Sequence, residues 1–174
     1  MMKTEKLYYK DAYIGEFSAT VISCERAGES WCAVLDKTAF FPEEGGQYAD
    51  TGTLGECRVL DVQEKDGVIL HTVDKPLSAG ATVCGRLDFA ARLEKMRSHT
   101  AEHILCGIIH SLTGAENTGF HLGDDEVTFD ISIPIDAATL LEVERRANLA
   151  VMANIPVVAY FPDTDALPRF PTEL

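Results

Sequence analysis

Residues Phe89 to Leu112 read FAARLEKMRSHTAEHILCGIIHSL, and this stretch decides the fold class. It holds no proline and a single interior glycine, Gly107, so 24 residues can run as one helix. Asp88 stands where an N-cap belongs, and Gly114 falls just beyond the end, where a helix-stopping glycine belongs. Downstream, Glu126 to Ile133 alternates as a strand and is stopped by Pro134. Asp136 then caps a second helix running to about Asn154, and Ile155 to Phe161 reads as a strand.

Upstream of Asp88 the pattern is different. Glu16 to Cys24 and Trp31 to Leu35 are β-branched, aromatic and apolar, parted by the turn-forming ERAGES. Cys57 to Gln63 and Val68 to Val73 make a second hairpin through Glu-Lys-Asp-Gly, and Ala81 to Leu87 is a fifth strand. Short strands at regular spacing suggest a small barrel or sandwich. Between them Asp36 to Gly55 forms one long irregular loop, a length that usually marks function or disorder. The expected fold is therefore α+β. A small β-barrel-like domain, residues 1–88, precedes an α+β domain, residues 89–174, built round the long helix.

Composition sets the outer limits. The 174 residues are 46% hydrophobic and 25% charged, as in an ordinary globular protein. No window nears the roughly 18 apolar residues of a membrane span, and the N-terminus lacks the apolar core of a signal peptide, so no membrane partner is expected. Five scattered cysteines without a Cys-x-x-Cys pair suit free thiols in a reducing cytoplasm. With 28 acids against 15 bases the net charge is −13, which speaks against wrapping a duplex and excludes a general DNA binder. Charge is unevenly placed: between Arg86 and Arg97 lie Arg86, Arg92, Lys95 and Arg97 against Asp88 and Glu94, a local excess of two positive charges, whereas from Ser98 through Glu144 there is no Lys or Arg.

Two groups of residues carry chemistry. His99 and His103 are four apart on the long helix, so both imidazoles project from one face and can grip one metal ion. Such pairs alone are commonly surface or core residues, but the helical wheel adds to the case. With His99 at zero, His103 falls at about 40°, His110 at about 20° and Cys106 at about 340°. Ala101, Ile104, Leu105, Ile108 and Leu112 fall opposite, at roughly 140–240°. His110 is too far along the axis to share the ion, and Cys106 reads better as a buried free thiol. Glu102 precedes the second histidine rather than following the first, so the order His-Thr-Ala-Glu-His does not fit a zincin protease. The second group is the loop Phe40 to Gly52, FFPEEGGQYADTG. Its Gly45-Gly46 pair can bring bare N–H groups to a ligand, and Gln47 offers both a donor and an acceptor. No Gly-Lys-Ser/Thr follows, so it is not a phosphate loop.

Taken together, the stretches Asp36–Gly52 (DKTAFFPEEGGQYADTG) and Asp88–Leu105 (DFAARLEKMRSHTAEHIL) resemble the editing domains of alanyl-tRNA synthetases and the freestanding AlaX editing proteins. The family patterns are roughly Asp-x-Thr-x-Phe-Tyr-Pro-x-x-Gly-Gly-Gln-x-x-Asp-x-Gly and Asp-x-x-x-Arg-x-x-x-Met-x-x-His-Thr-Ala-x-His-Leu-Leu, in this order, and Phe129-Asp130 also agrees. The resemblance implies that His99 and His103 are catalytic zinc ligands, half of a Zn2+ site on a long metal-binding helix. It also implies that Thr38, Gly45, Gly46, Gln47 and Asp50 bind the aminoacyl group, with Gln47 taking part in the chemistry. The implied reaction is hydrolysis of the ester joining serine or glycine to the acceptor end of tRNA(Ala). A pocket shaped for alanine cannot exclude glycine by size, so a second, hydrolytic sieve is needed. The threonyl-tRNA synthetase editing domain shares the two-histidine helix, but the Gly-Gly-Gln loop favours the alanyl branch. A non-catalytic binding module of the same family is the other alternative. The family completes its zinc site with a downstream Cys-x-x-x-His, whereas this sequence has no Cys or His after His121. The resemblance thus implies a chain truncated relative to the family, with an incomplete zinc site.

Overall fold

A computed structural model describes residues 3–123 and 126–158. Ten strands and two α-helices occur among them, giving an α+β protein whose sheets are mostly antiparallel. The strands are β1 (Glu5–Lys6), β2 (Glu16–Ala27), β3 (Ser30–Leu35), β4 (Lys37–Thr38), β5 (Gly52–Leu54), β6 (Cys57–Lys65), β7 (Val68–Val73), β8 (Thr82–Leu87), β9 (Asn117–Leu122) and β10 (Val127–Ile131). The helices are α1 (Phe89–Thr113) and α2 (Ala137–Met152), and a 3-10 turn covers Leu7–Tyr9. By internal contacts the chain divides into two compact units, with the division falling inside α1 between Met96 and Arg97. Among the described residues, the first unit runs to Met96 and includes Leu122 and Gly123; the second comprises Arg97–His121 and residues 126–158.

In the first unit six strands close into an antiparallel barrel in the order β2-β3-β7-β6-β5-β8, with β8 pairing back onto β2. Alternation places Phe17, Ala19 and Val21 of β2 inside, where they meet Leu35, Phe40, Leu54, Val62, Ile69 and Val73. The β6–β7 hairpin is tighter than the sequence suggests. Lys65 pairs with Val68, leaving only Asp66 and Gly67 in the turn, and both have positive φ (54° and 80°), as a two-residue type I′ hairpin requires. The closing strand β5 lies in the stretch read as irregular loop. Its Gly52 has no room for a side chain: a Cβ there would sit 2.1 Å from the Arg86 carbonyl oxygen, with φ at +153°. The other end of that stretch, β4, pairs in parallel with β1.

Helix α1 starts where the sequence places it, with the Asp88 carboxylate accepting the Ala91 N–H at 3.2 Å. It ends in a left-handed glycine: Gly114 has φ +73°, and its N–H reaches the His110 carbonyl at 2.7 Å. In the second unit Ile109, Ala115 and Val143 form a small core with Leu105, Ile108, Leu112, Phe129, Ile131 and Ile135. The apolar face of α1 is thus turned toward Ile109, about 280° on the wheel. Ala101, expected on that face, is exposed. Asp136 caps α2 by accepting the Thr139 N–H at 2.7 Å. The strand expected from Ile155 carries no regular structure over residues 155–158, and its remainder to Phe161 lies outside the described residues. No helix among the described residues is long and apolar enough to cross a membrane.

Candidate functional site

The glycine loop belongs to the first unit and is built on a tight turn. Glu44 and Gln47 exchange backbone hydrogen bonds (3.0 and 3.2 Å) across Gly45 and Gly46, whose φ values are +61° and +82°. Two successive positive φ angles define a type I′ turn, which explains the glycine pair in conformational terms. Gln47 leaves the turn with 7% of its surface exposed.

Two further residues of the motif hold this loop from beneath. Asp50 is 2% exposed, and its Oδ2 accepts the Phe41 N–H at 2.8 Å and the Arg92 Nε–H at 2.9 Å. Arg92, itself 3% exposed, also pairs with Asp50 through Nη2 and donates to the carbonyls of Ala12 (2.9 Å) and Ala39 (2.7 Å). This fork ties the loop to the first turn of α1, and Lys95 adds a bond to the Ala49 carbonyl at 2.6 Å. Thr38 is fully buried beside His71. A carbonyl only accepts, so His71 Nδ1 donates to Ala33 O (3.2 Å). Its Nε2 then accepts the Thr38 hydroxyl proton (2.9 Å), and that hydroxyl accepts the Phe40 N–H (3.1 Å). Burial drives the His71 pKa down to about 4, which keeps the imidazole neutral for this arrangement. Thr38 and Asp50, assigned to the aminoacyl group by resemblance, thus both have their polar atoms engaged within the loop's own support.

The histidine pair belongs to the second unit. The rings of His99 and His103 stack with centroids 4.9 Å apart, and Phe120 covers the His99 ring at 5.4 Å. Between them in sequence, Glu102 is 3% exposed. One ligand atom from each of His99, Glu102 and His103 lies within 4.8 Å of the other two. Glu102 Oε1 accepts the Cys106 thiol proton at 2.9 Å and an Asn117 amide proton, while Oε2 lies 3.4 Å from His103 Nδ1. Burial, then the neighbouring His103, lower the His99 pKa against the opposing pull of Glu102. His99 is therefore held toward the neutral form that a metal requires. Burial and the Glu102 hydrogen bond push the Cys106 thiol up to about 12, so it is kept protonated and is a poor ligand. His110 is turned away to the loop after the helix, its Nδ1 donating to the Ala115 carbonyl at 3.2 Å. Two imidazoles and a carboxylate suit zinc or a similar first-row divalent ion, so the residues present fit the metal that the resemblance implies.

Four residues in these networks carry no role in the sequence reading: His71, Arg92, Glu102 and Asn117. Arg92 had a signal, since it occupies the arginine position of the helix motif. Glu102 lies at about 300° on the wheel, on the border of the apolar face, where a carboxylate reads as solvated. His71 and Asn117 are isolated polar residues in strands, and nothing local marks them.

Comparisons with known proteins point in one direction. Residues 3–91 match the family model for tRNA synthetases class II (A). The alanyl-tRNA editing protein AlaX-M of Methanosarcina barkeri is 38% identical over 169 residues, covering 90% of this chain and 68% of that protein. The alanine–tRNA ligases of Halobacterium salinarum and Thermococcus kodakarensis are each 42% identical, over 92% and 94% of this chain. The chain spans about a fifth of the length of these ligases (19% and 18%). A match over residues 3–91, joined to 38% identity across more than two thirds of an AlaX-M protein, places the chain in the class II (A) tRNA synthetase family, in the group that includes the alanyl-tRNA editing proteins.

Proposed function

We propose that this chain is a trans-editing hydrolase that removes serine or glycine from mischarged tRNA(Ala). The observation that carries the reading is the convergence of His99 and His103: stacked imidazoles 4.9 Å apart on one helix face, in a chain of this family. In this reading His99 and His103 hold a zinc ion. When bound, it would supply Lewis-acid polarisation or a water of lowered pKa. Gly45 and Gly46 present backbone N–H groups to the aminoacyl moiety, and the Gln47 amide orients it through one donor and one acceptor. Asp50 and Thr38 act by fixing the shape of the loop, the first through Arg92 and the second through His71. The partner is the acceptor end of the tRNA. A chain of net charge −13 can meet such an end without wrapping the duplex, and the cytoplasm is the matching location.

The direct test is deacylation of Ser-tRNA(Ala) and Gly-tRNA(Ala), with Ala-tRNA(Ala) as the control, by the wild type and by the His99→Ala, His103→Ala and Gln47→Ala variants. Hydrolysis of the mischarged species is expected from the wild type, with loss in both histidine variants at unchanged circular dichroism. A double histidine variant that deacylates at the wild-type rate would remove both residues from the reaction. A wild type that releases no serine or glycine would sink the hydrolase reading itself.

A further inference from the structure

The geometry points to Glu102 as a third protein ligand, so that one helix face, His99-x-x-Glu102-His103, holds a first-row divalent cation by two imidazoles and one carboxylate. The inference rests on the reading of the two histidines as metal ligands and extends it to a residue outside the two-histidine motif. Positions i, i+3 and i+4 share a face, at about 0°, 300° and 40° round the helix. Their ligand atoms already lie within 4.8 Å of one another. Bonds of about 2.0–2.2 Å in tetrahedral geometry set ligand atoms roughly 3.3–3.6 Å apart. The three groups therefore close on an ion by side-chain torsions of about an ångström, with no change in the helix.

Charge supplies the second argument. Glu102 is 3% exposed, and a buried carboxylate is costly unless a cation compensates it. Its described partners are a thiol, an amide and the imidazole of His103, none of them a fixed positive charge. The sequence has no Lys or Arg from Ser98 through Glu144. The Cys106 and Asn117 donors both converge on Oε1, which fixes the carboxylate plane and leaves Oε2 directed at His103. Outer-sphere hydrogen bonds of this kind are how a ligating carboxylate is held ready. A divalent ion at Oε2 would supply the missing charge.

The test is a Co2+ titration of the 174-residue chain against a competing chelator, with the visible ligand-field spectrum recorded. Wild type, Glu102→Gln and His99→Ala/His103→Ala are compared. The glutamine keeps an oxygen to accept from Cys106 and Asn117, so the buried network is retained. Wild type is expected to bind one equivalent, Glu102→Gln to lose more than a hundredfold in affinity with an altered spectrum, and the double histidine variant to bind none. Equal affinity and spectrum in Glu102→Gln would overturn the third ligand while leaving the histidine site standing. A loss under a hundredfold with an unchanged spectrum would also overturn it, since Glu102 would then act only through His103. Absence of binding by the wild type would overturn the histidine reading and the inference together. Should Glu102→Gln fail to fold by circular dichroism, the metal-induced infrared difference spectrum of the wild type decides. A shift in a carboxylate stretch that is missing from the double histidine variant is expected; no carboxylate change refutes the proposal.

Discussion

Buried His71 makes the barrel's stability depend on pH between its unfolded and folded pKa values. The side chain has no exposed surface, and burial lowers its pKa from 6.5 to about 4. The unfolded chain therefore binds a proton at His71 between about pH 6.5 and 4 that the folded chain refuses. Stability is fully present above the unfolded pKa and is lost as pH falls toward the folded one. Each pKa unit is worth about 1.4 kcal/mol, which gives a loss of ~2 kcal/mol at about pH 5 and ~3 kcal/mol at about pH 4. The acidic surface titrates over part of the same range, so the informative quantity is a difference between proteins. Urea unfolding of the wild type and of His71→Gln, at matched pH values between about 7.5 and 4.5, isolates the histidine. The variant is expected to start less stable, because Gln cannot serve both Ala33 and Thr38 in the ring's geometry, and to lose less on acidification. Parallel curves, with a constant gap at every pH, would show that His71 is not the group refusing the proton.

Two other substitutions probe the support of the glycine loop. Arg92→Ala leaves the buried Asp50 carboxylate only the more distant Lys95 ammonium, 3.9 Å from Oδ1, and should cost about 3 kcal/mol in chemical unfolding; a loss below about 1 kcal/mol would mean that the fork is not what holds the loop. Gly45→Ala meets open space but must adopt φ +61°, so a purely conformational cost of about 1–2 kcal/mol is expected. Gly45→Asn should recover part of it, and equal stability of all three proteins would argue against a type I′ turn in solution.

What could be read from the sequence was whatever repeats. Helix α1 and the hairpins of β2–β3 and β6–β7 announce themselves by period, by Asp88 and Gly114 at the helix ends, and by Asp66-Gly67 at a turn. The elements that were not legible are short and owe their form to partners far along the chain. β1 and β4 are two residues each and pair with one another across about thirty residues of sequence. β5 is three residues beginning at a glycine, and its strand character comes from β6 on one side and β8 on the other. β9, Asn-Thr-Gly-Phe-His-Leu, has neither alternation nor β-branched enrichment, and its pairing with β10 decides its conformation. The opposite error occurs at Ile155. An apolar run there looks like a strand, yet Ile155, Val157 and Val158 are 64–75% exposed and carry no ladder.

The candidate site was legible on the same terms, and its gaps have the same cause. The sequence exposes side chains that stand out by their own spacing: two histidines one helical turn apart, two glycines in a row, a glutamine beside them. It hides those that act through a partner, because a partnership is a property of the fold. Arg92 matters through Asp50, His71 through Thr38, and Asn117 through Glu102; these pairs are separated by 42, 33 and 15 residues. Glu102 shows how a correct local argument can pass over a residue. Its position rules out the zincin arrangement, yet on the folded helix it turns inward, and a carboxylate buried beside two imidazoles is a stronger sign of a cation than the spacing of the histidines alone. Spacing finds the residues that could bind, and burial of charge identifies where something positive is needed.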